Sequence, residues 1–259
     1  MNNSNTAFSD RYFGKPDKSP AKSKSDYLAI MPRYRQRHLV KFIEAIPQGG
    51  TLLDLGCGKG KTVRLVQAFR PDVTIIATDI TNMEPFLPEG VTFVLASADD
   101  LVEKVPLASC DAIVSEHVIE HIVYPNQYFE SCYQLLKPGG RVFIETPNWT
   151  RLFLPFSPLY FWNDYTHIHP YSITAFRRAF MEYGFKEVYV QSISSIDFGR
   201  RFMKLRIEGG EVKTGQKPEF VVYKPHESKL RKLFNAILDL TIHPIARDIL
   251  IGVAERPKQ

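Results

Sequence analysis

The chain has 259 residues, enough to bury one substantial α/β core with some decoration. Its 33 basic and 28 acidic side chains leave a formal charge of +5 without any long block of like charges, so the balance does not demand a nucleic-acid surface and suits acidic substrates or a membrane surface equally well. The three cysteines, Cys57, Cys110 and Cys132, lie far apart without CxxC spacing, which argues against a disulfide framework or a thiolate zinc site and points to a reducing cytoplasm.

Residues 1–25 are mostly Asn, Ser, Lys and Pro with little to bury apart from Phe8, Tyr12 and Phe13, and they read as a disordered lead. The first ten, MNNSNTAFSD, lack the basic and apolar regions of a signal peptide, and no later apolar run approaches the roughly eighteen residues needed to span a bilayer. Residues 26–259 are expected to form a single domain. From Pro32 to Ile46, Leu39, Phe42, Ile43 and Ile46 give one apolar face ringed by Arg33, Arg35, Arg37 and Lys41. This amphipathic helix either lies over a ligand mouth or packs on the core.

Thr51 to Thr62 reads TLLDLGCGKGKT, a buried strand, an acid, then glycine at every second position where the next helix begins. A phosphate-cradling loop needs four residues between its first glycine and Gly-Lys-Thr; Gly60, Lys61 and Thr62 supply the end, but Leu55 holds the first position. A dinucleotide fingerprint wants G-x-G-x-x-G, and here the third glycine comes one residue early. An acid followed by G-x-G-x-G at the end of a first strand resembles motif I of class I S-adenosylmethionine (SAM) methyltransferases. That resemblance implies SAM as cofactor, with Asp54, Gly56, Cys57, Gly58 and Gly60 around it. With no phosphate to bind, Lys61 has no obvious anionic partner.

Val63, Val66 and Phe69 sit at helical spacing up to Pro71, and Val73 to Ala77 forms a second strand finishing at Thr78 and Asp79. An acid at the tip of a second strand is where nucleoside-binding folds place a carboxylate for the ribose hydroxyls. Asp79 is that candidate, with Ile80 beside it; a turn aspartate is the alternative. Val91 to Leu95 is a third strand, followed by ASADDL. In methyltransferases of this type the matching stretch carries an acid that meets the adenine amino group; here the aligned position is Ser97, followed by Ala98 and Asp99, which leaves that contact between Ser97 and Asp99. Cys110 to Ser115 is the fourth strand, with Glu116 at its end as a further donor-site candidate, and Leu135 to Asn148 gives a helix end, a Pro-Gly-Gly turn and the fifth strand.

Ser172 opens a helix whose Ile173, Phe176 and Phe180 share a face, and Gly184 stops it. Lys186 to Ile193 is a sixth strand and Ile249 to Glu255 a seventh, which the resemblance inserts antiparallel beside the sixth. The fold class is α/β, a doubly wound, seven-stranded, mostly parallel sheet (the Rossmann-like methyltransferase fold) with an antiparallel last strand and ligands at the carboxyl ends of the strands. Segments 149–171 and 194–248 read as inserted caps. In the second, Lys229, Arg231 and Lys232 alternate with Leu230, Leu233, Phe234, Ile237 and Leu238, so 229–238 either packs on the sheet or makes peripheral contact with anionic lipid.

The candidate chemistry lies in SEHVIEHI and NDYTHIHPYS. His117, Glu120 and His121 share one face if a helix starts at the end of the fourth strand, and two imidazoles with a carboxylate can hold a divalent metal. Asp164, His167 and His169 follow an aromatic run, Phe153, Phe156, Tyr160, Phe161 and Trp162, that would line an acceptor pocket or lid. HVIEH, the TPN of Thr146 to Asn148 and DYTHIHPYS together look like a bacterial methyltransferase subgroup related to the ubiquinone-biosynthesis O-methyltransferases. In those relatives a Glu-x-x-Glu-His stretch can bind a metal, and small-RNA 2'-O-methyltransferases add a later histidine. This chain has His117 in place of the first glutamate, matches at Glu120 and His121 and offers His167, which leaves metal binding open. The resemblance does not fix the acceptor; the first reading is O-methylation of a small molecule, sugar or glycan, with His117 and His167 as catalytic candidates that accept the hydroxyl proton. The alternatives are a metal-dependent RNA 2'-O-methyltransferase and an inactive SAM-fold binding or membrane-associated module.

Overall fold

The computed structural model describes residues 22–30, 35–98, 100–149, 161–193 and 249–258. The expectations for Phe8, Tyr12 and Phe13, for Arg33, for Asp99, for Phe153, Phe156 and Tyr160, and for the insertion carrying Lys229, Arg231 and Lys232 lie outside the described residues.

Seven strands form one sheet in the order β3-β2-β1-β4-β5-β7-β6. In chain order the elements are α1 (Lys24–Ile30), α2 (Arg35–Glu44), β1 (Thr51–Leu55), α3 (Lys61–Phe69), β2 (Thr74–Asp79), β3 (Val91–Leu95), α4 (Leu101–Lys104), β4 (Cys110–Glu116), α5 (Pro125–Leu135), β5 (Leu136–Pro147), α6 (Ile173–Glu182), β6 (Lys186–Ile193) and β7 (Ile249–Glu255). β1 to β5 pair in parallel, whereas β7 runs antiparallel between β5 and β6. This is the sheet expected from the sequence, with its last strand inserted as the resemblance implied.

Side chains alternate across the strands and feed two cores. Leu53, Val142, Ile144, Leu250 and Ala254 face the side covered by α4, α5 and α6, where Phe129, Phe176 and Phe180 pack edge to face or tilted. Leu52, Phe143, Ile249 and Ile251 face the other side, under α2 and α3, where Phe42 meets Phe143 at 5.5 Å between ring centroids. The buried face of α2 therefore takes the packing role. Each fully buried phenylalanine contributes about 1.5–3 kcal/mol. α6 lies so close to β7 that a Cβ at Gly252 would come 2.5 Å from Phe180, and Ser172 caps it by accepting from the Ala175 N–H at 3.2 Å. The expected Pro-Gly-Gly turn is present as an irregularity within β5: the register jumps from Cys110↔Leu136 to Ala112↔Arg141, with Gly139 at φ 80°.

Candidate active site

The parallel strands bring their carboxyl ends to one edge, and four of them end in or beside an acid: Asp54, Asp79, Glu116 and Glu145. The glycine turn sits above β1. The N–H groups of Gly56 and Cys57 donate to the Thr78 carbonyl at 2.8 and 2.9 Å, which binds the turn to the end of β2. A Cβ at Gly56 would come 2.3 Å from the Val118 side chain, so only glycine fits there, while Gly58 has open space around it. Gly60, at φ 72°, stands at the N-cap of α3.

Asp79 turns its carboxylate onto this turn. Oδ2 accepts from the Gly58 N–H at 3.0 Å and Oδ1 from the Thr81 N–H at 3.0 Å. It is thus a turn aspartate and an acid facing the mouth at once, with Ile80 beside it 78% exposed. Asp54 lies beneath, 3% exposed, and its Oδ2 has no hydrogen-bond partner. Burial, then the charges of Glu116 and Asp79, raise its carboxyl well above the ordinary carboxylate range, with Lys61 opposing. Burial likewise pushes the Cys57 thiol up, so it is no nucleophile. Glu116 accepts from the Thr62 hydroxyl and lies 3.4 Å from Lys61 Nζ. Lys61 therefore has an anionic partner after all, supplied by the end of β4. Ser97 donates its N–H, at 2.7 Å, and its hydroxyl, at 3.2 Å, to Asp100 Oδ1, and Ala98 is buried.

An orphaned buried carboxyl oxygen, three carboxyl groups around a glycine-rich turn and an exposed isoleucine next to Asp79 suit a ligand carrying positive charge, a sugar and a flat apolar base. SAM has those parts, so the residues fit it.

A second cluster stands over β4 and β5, and here the expected helix does not form. His117 leaves β4 in the left-handed region, at φ 57°, with its N–H donating to the Glu145 carbonyl at 2.8 Å; only a single 3-10 turn, Ile119–His121, follows. The reason is local: a residue held at positive φ cannot begin an α-helix, so His117 does not share a face with Glu120 and His121. Its imidazole lies between two buried carboxylates instead, Nε2 3.1 Å from Glu145 Oε1 and Nδ1 3.4 Å from Glu120 Oε1. Burial pulls its pKa down, yet the two carboxylates outweigh that and raise it to about 9. The longer contact is an ion pair without hydrogen-bond alignment, since Glu120 Oε1 has no hydrogen-bond partner; Oε2 accepts from the Thr146 hydroxyl at 3.0 Å.

His167 and His121 complete the cluster. Ile168 and His169 donate their N–H groups to the Glu120 carbonyl at 2.8 and 3.2 Å, which lays the 164–169 loop across the turn. His167 Nδ1–H donates to the Phe161 carbonyl at 2.7 Å, and His121 Nδ1 lies 3.2 Å from the Thr166 carbonyl. A carbonyl only accepts, so each Nδ1 carries a proton, and in the neutral ring the lone pair is on Nε2. The ligand atoms of Glu120, His121 and His167 lie within 4.8 Å of one another, a set that could hold a metal ion. His169 stands apart, with Nε2 3.4 Å from the Val123 carbonyl. The sequence reading missed Glu145; its signal was an acid closing an apolar strand, the pattern already read at Asp54 and Asp79.

A family model described as a methyltransferase domain matches residues 27–190. The chain belongs to that family. Within it the chain is a class I SAM-dependent methyltransferase related to the ubiquinone-biosynthesis O-methyltransferases. The mitochondrial ubiquinone biosynthesis O-methyltransferase of Mus musculus is 32% identical over 114 residues, 40% of this chain and 30% of the mouse protein. The ubiquinone biosynthesis O-methyltransferase of Xanthomonas axonopodis pv. citri is 32% identical over 110 residues, 40% of this chain and 46% of that protein. The match thus spans less than half the length of these relatives. Among solved structures, a SAM-dependent methyltransferase from Archaeoglobus fulgidus superposes with a TM-score of 0.59 at 18% identity, covering 96% of this chain and 98% of that one. Phosphoethanolamine N-methyltransferase 2 of Haemonchus contortus, solved with SAM, gives 0.57 at 19% identity over 98% of this chain and 60% of that one. These likenesses show the methyltransferase fold. No helix among the described residues is long and apolar enough to cross a membrane.

Proposed function

We propose that this methyltransferase transfers a methyl group to an oxygen of a small molecule, sugar or glycan, as a single domain working in the cytoplasm. The observation that carries the reading is the Asp79 carboxylate turned onto the glycine turn above Asp54, whose buried Oδ2 has no hydrogen-bond partner. Asp54, Gly56, Cys57, Gly58 and Gly60 would hold the amino-acid end of the donor, Asp79 its ribose and Ile80 its base, with Ser97 and Ala98 along the rim; Glu116 secures the first turn of α3 through Thr62 and Lys61. SAM supplies a methyl group on a sulfonium, which leaves by in-line displacement, so the chain's own work is alignment and exclusion of water.

A hydroxyl acceptor must also lose its proton. His117 has both ring nitrogens turned to carboxylates and carries its proton at neutral pH, so it holds the turn in place as a cation. His167 Nε2, with its lone pair free of the Nδ1–carbonyl bond, is the proton acceptor. Phe161, whose ring centre lies 4.6 Å from that of His167, and the exposed Trp162 packed against Phe161 would give the acceptor an apolar wall.

A second reading is favoured by the Glu120, His121 and His167 cluster: these residues would hold a divalent cation that lowers the acceptor's pKa. One experiment tests both. Purified protein is given labelled donor and pools of sugars, phenols and RNA, with and without chelator, and donor binding is measured by calorimetry for the wild type and Asp79→Ala. Labelled sugar or phenol, insensitive to chelator, is the expected result; chelator-sensitive product selects the metal reading, and labelled RNA selects the RNA enzyme. Donor binding without product anywhere selects the inactive module. Asp79→Ala should weaken donor binding by about 1–3 kcal/mol through lost charged hydrogen bonds, and an unchanged affinity removes the proposed site.

A further inference from the structure

The glycine turn and the segment after β2 form two sides of the proposed donor site, and one side chain ties them together. Arg64, in α3, sends Nη1 to the carbonyls of Lys59 and of Gly60, the latter at 3.2 Å, and Nη2 to the carbonyl of Phe86 at 2.6 Å. Lys59 and Gly60 close the turn after β1, whereas Phe86 ends the short 3-10 turn that follows Asp79 and Ile80. The seam is tight: a Cβ at Gly60 would come 2.6 Å from Leu87 and 3.2 Å from Arg64 Nη1. Lys59 Nζ adds a looser contact, 5.9 Å from the centre of the Phe86 ring. Further along the same helix, Gln67 donates to the Glu89 carbonyl at 2.9 Å, beyond the glycine turn.

A guanidinium is planar and presents its N–H donors in a fixed fork, so a bridge of this kind sets both the distance and the angle between the backbones it joins. An ammonium is a point donor on a flexible stem and sets neither. We infer that Arg64 is a positioning residue for the donor, fixing the spacing between the glycine turn that faces the amino-acid tail and the Asp79 and Ile80 side that faces the nucleoside. The inference rests on the donor site proposed above. A ligand reaching both sides depends on the spacing; one confined to the nucleoside side does not.

The test is calorimetry on the full chain with S-adenosylhomocysteine, which spans both sides, and with methylthioadenosine, which lacks the amino-acid tail. Arg64→Ala is expected to weaken S-adenosylhomocysteine by about tenfold or more and methylthioadenosine by less than about threefold. Arg64→Lys, which keeps the charge without the fork, should show the same split and supplies the readout if the alanine variant does not fold. Gln67→Ala should bind both ligands as the wild type does. Equal losses for the two ligands, wild-type binding in either Arg64 variant, or the same split in Gln67→Ala overturns the inference. Asp79→Ala serves as the reference: if it binds both ligands as the wild type does, the site reading falls and this inference with it. If Asp79→Ala loses both ligands while the Arg64 variants lose neither, the inference alone falls.

Discussion

Glu120 is a carboxylate with no exposure to solvent, and such a group is kept only by what surrounds it. Thr146 gives one oxygen a hydrogen bond, and His117 gives the other a nearby cation. Thr146→Val keeps the shape and removes the hydroxyl, which leaves the buried carboxylate short of its one well-aligned donor. The expected loss of stability is about 1–3 kcal/mol by denaturant unfolding, largely restored in Thr146→Ser. A valine variant as stable as the wild type would mean that the imidazolium alone neutralises the site. The backbone of His117 belongs to the same arrangement: positive φ at a residue with a side chain costs about 1–3 kcal/mol and persists because Glu145 holds both its N–H and its ring.

Among the elements, α2 shows how a helix end is fixed from a distance. Its last carbonyls point to Arg70, whose Nη1 donates to Ile46 at 2.6 Å and to Ile43 and Glu44 at 3.3 Å, while Nη2 reaches Pro47 at 3.0 Å. Asp72 holds the guanidinium from the other side, at 2.7 and 2.8 Å. A cation at a helix C-terminus that also satisfies four carbonyls does the work of a C-cap. Arg70→Ala should lower stability by about 1.5–3 kcal/mol and shift the melting temperature accordingly. The pH dependence has a defined sign. Hydrogen bonding from Arg70 and from the Gly49 N–H holds the Asp72 carboxyl below the usual range, so its folded value lies under its unfolded one. That contribution is complete above the unfolded value of about 4 and is lost as the pH falls through the lower, folded value. Thermal melts of Asp72→Asn and the wild type should therefore differ at neutral pH and converge in strong acid; a constant difference across that range would show that the pair acts through packing.

At the scale of the whole molecule, the doubly wound sheet was legible because its strands are buried on both faces and read as apolar runs, each closed by a turn or an acid. Leu52 to Leu55 and Cys110 to Ser115 are examples, and the site's position follows from strand polarity alone. What stayed hidden depends on partners distant in sequence. The left-handed turn at His117 is enforced by Glu145 across the sheet, the pairing of Lys61 by Glu116 from β4, and the tautomers of His121 and His167 by carbonyls in the loop laid over them. No local pattern encodes those. The function proposed above assigns the donor to the half of the mouth over β1 and β2 and the acceptor to the half over β4 and β5, and this division is measurable. A ligand that binds only the folded state stabilises it by RT ln(1 + [L]/Kd), about 2.7 kcal/mol at a hundredfold excess over Kd. S-adenosylhomocysteine should thus raise the melting temperature of the wild type and of His167→Ala by the same amount, because the proposal places His167 in the acceptor half. Asp79→Ala should lose most of that rise at the same ligand concentration. If His167→Ala loses it too, the halves are energetically one site, and the route of coupling is the Glu116 link from β4 to Lys61 and Thr62, which Glu116→Gln would then weaken by a similar amount.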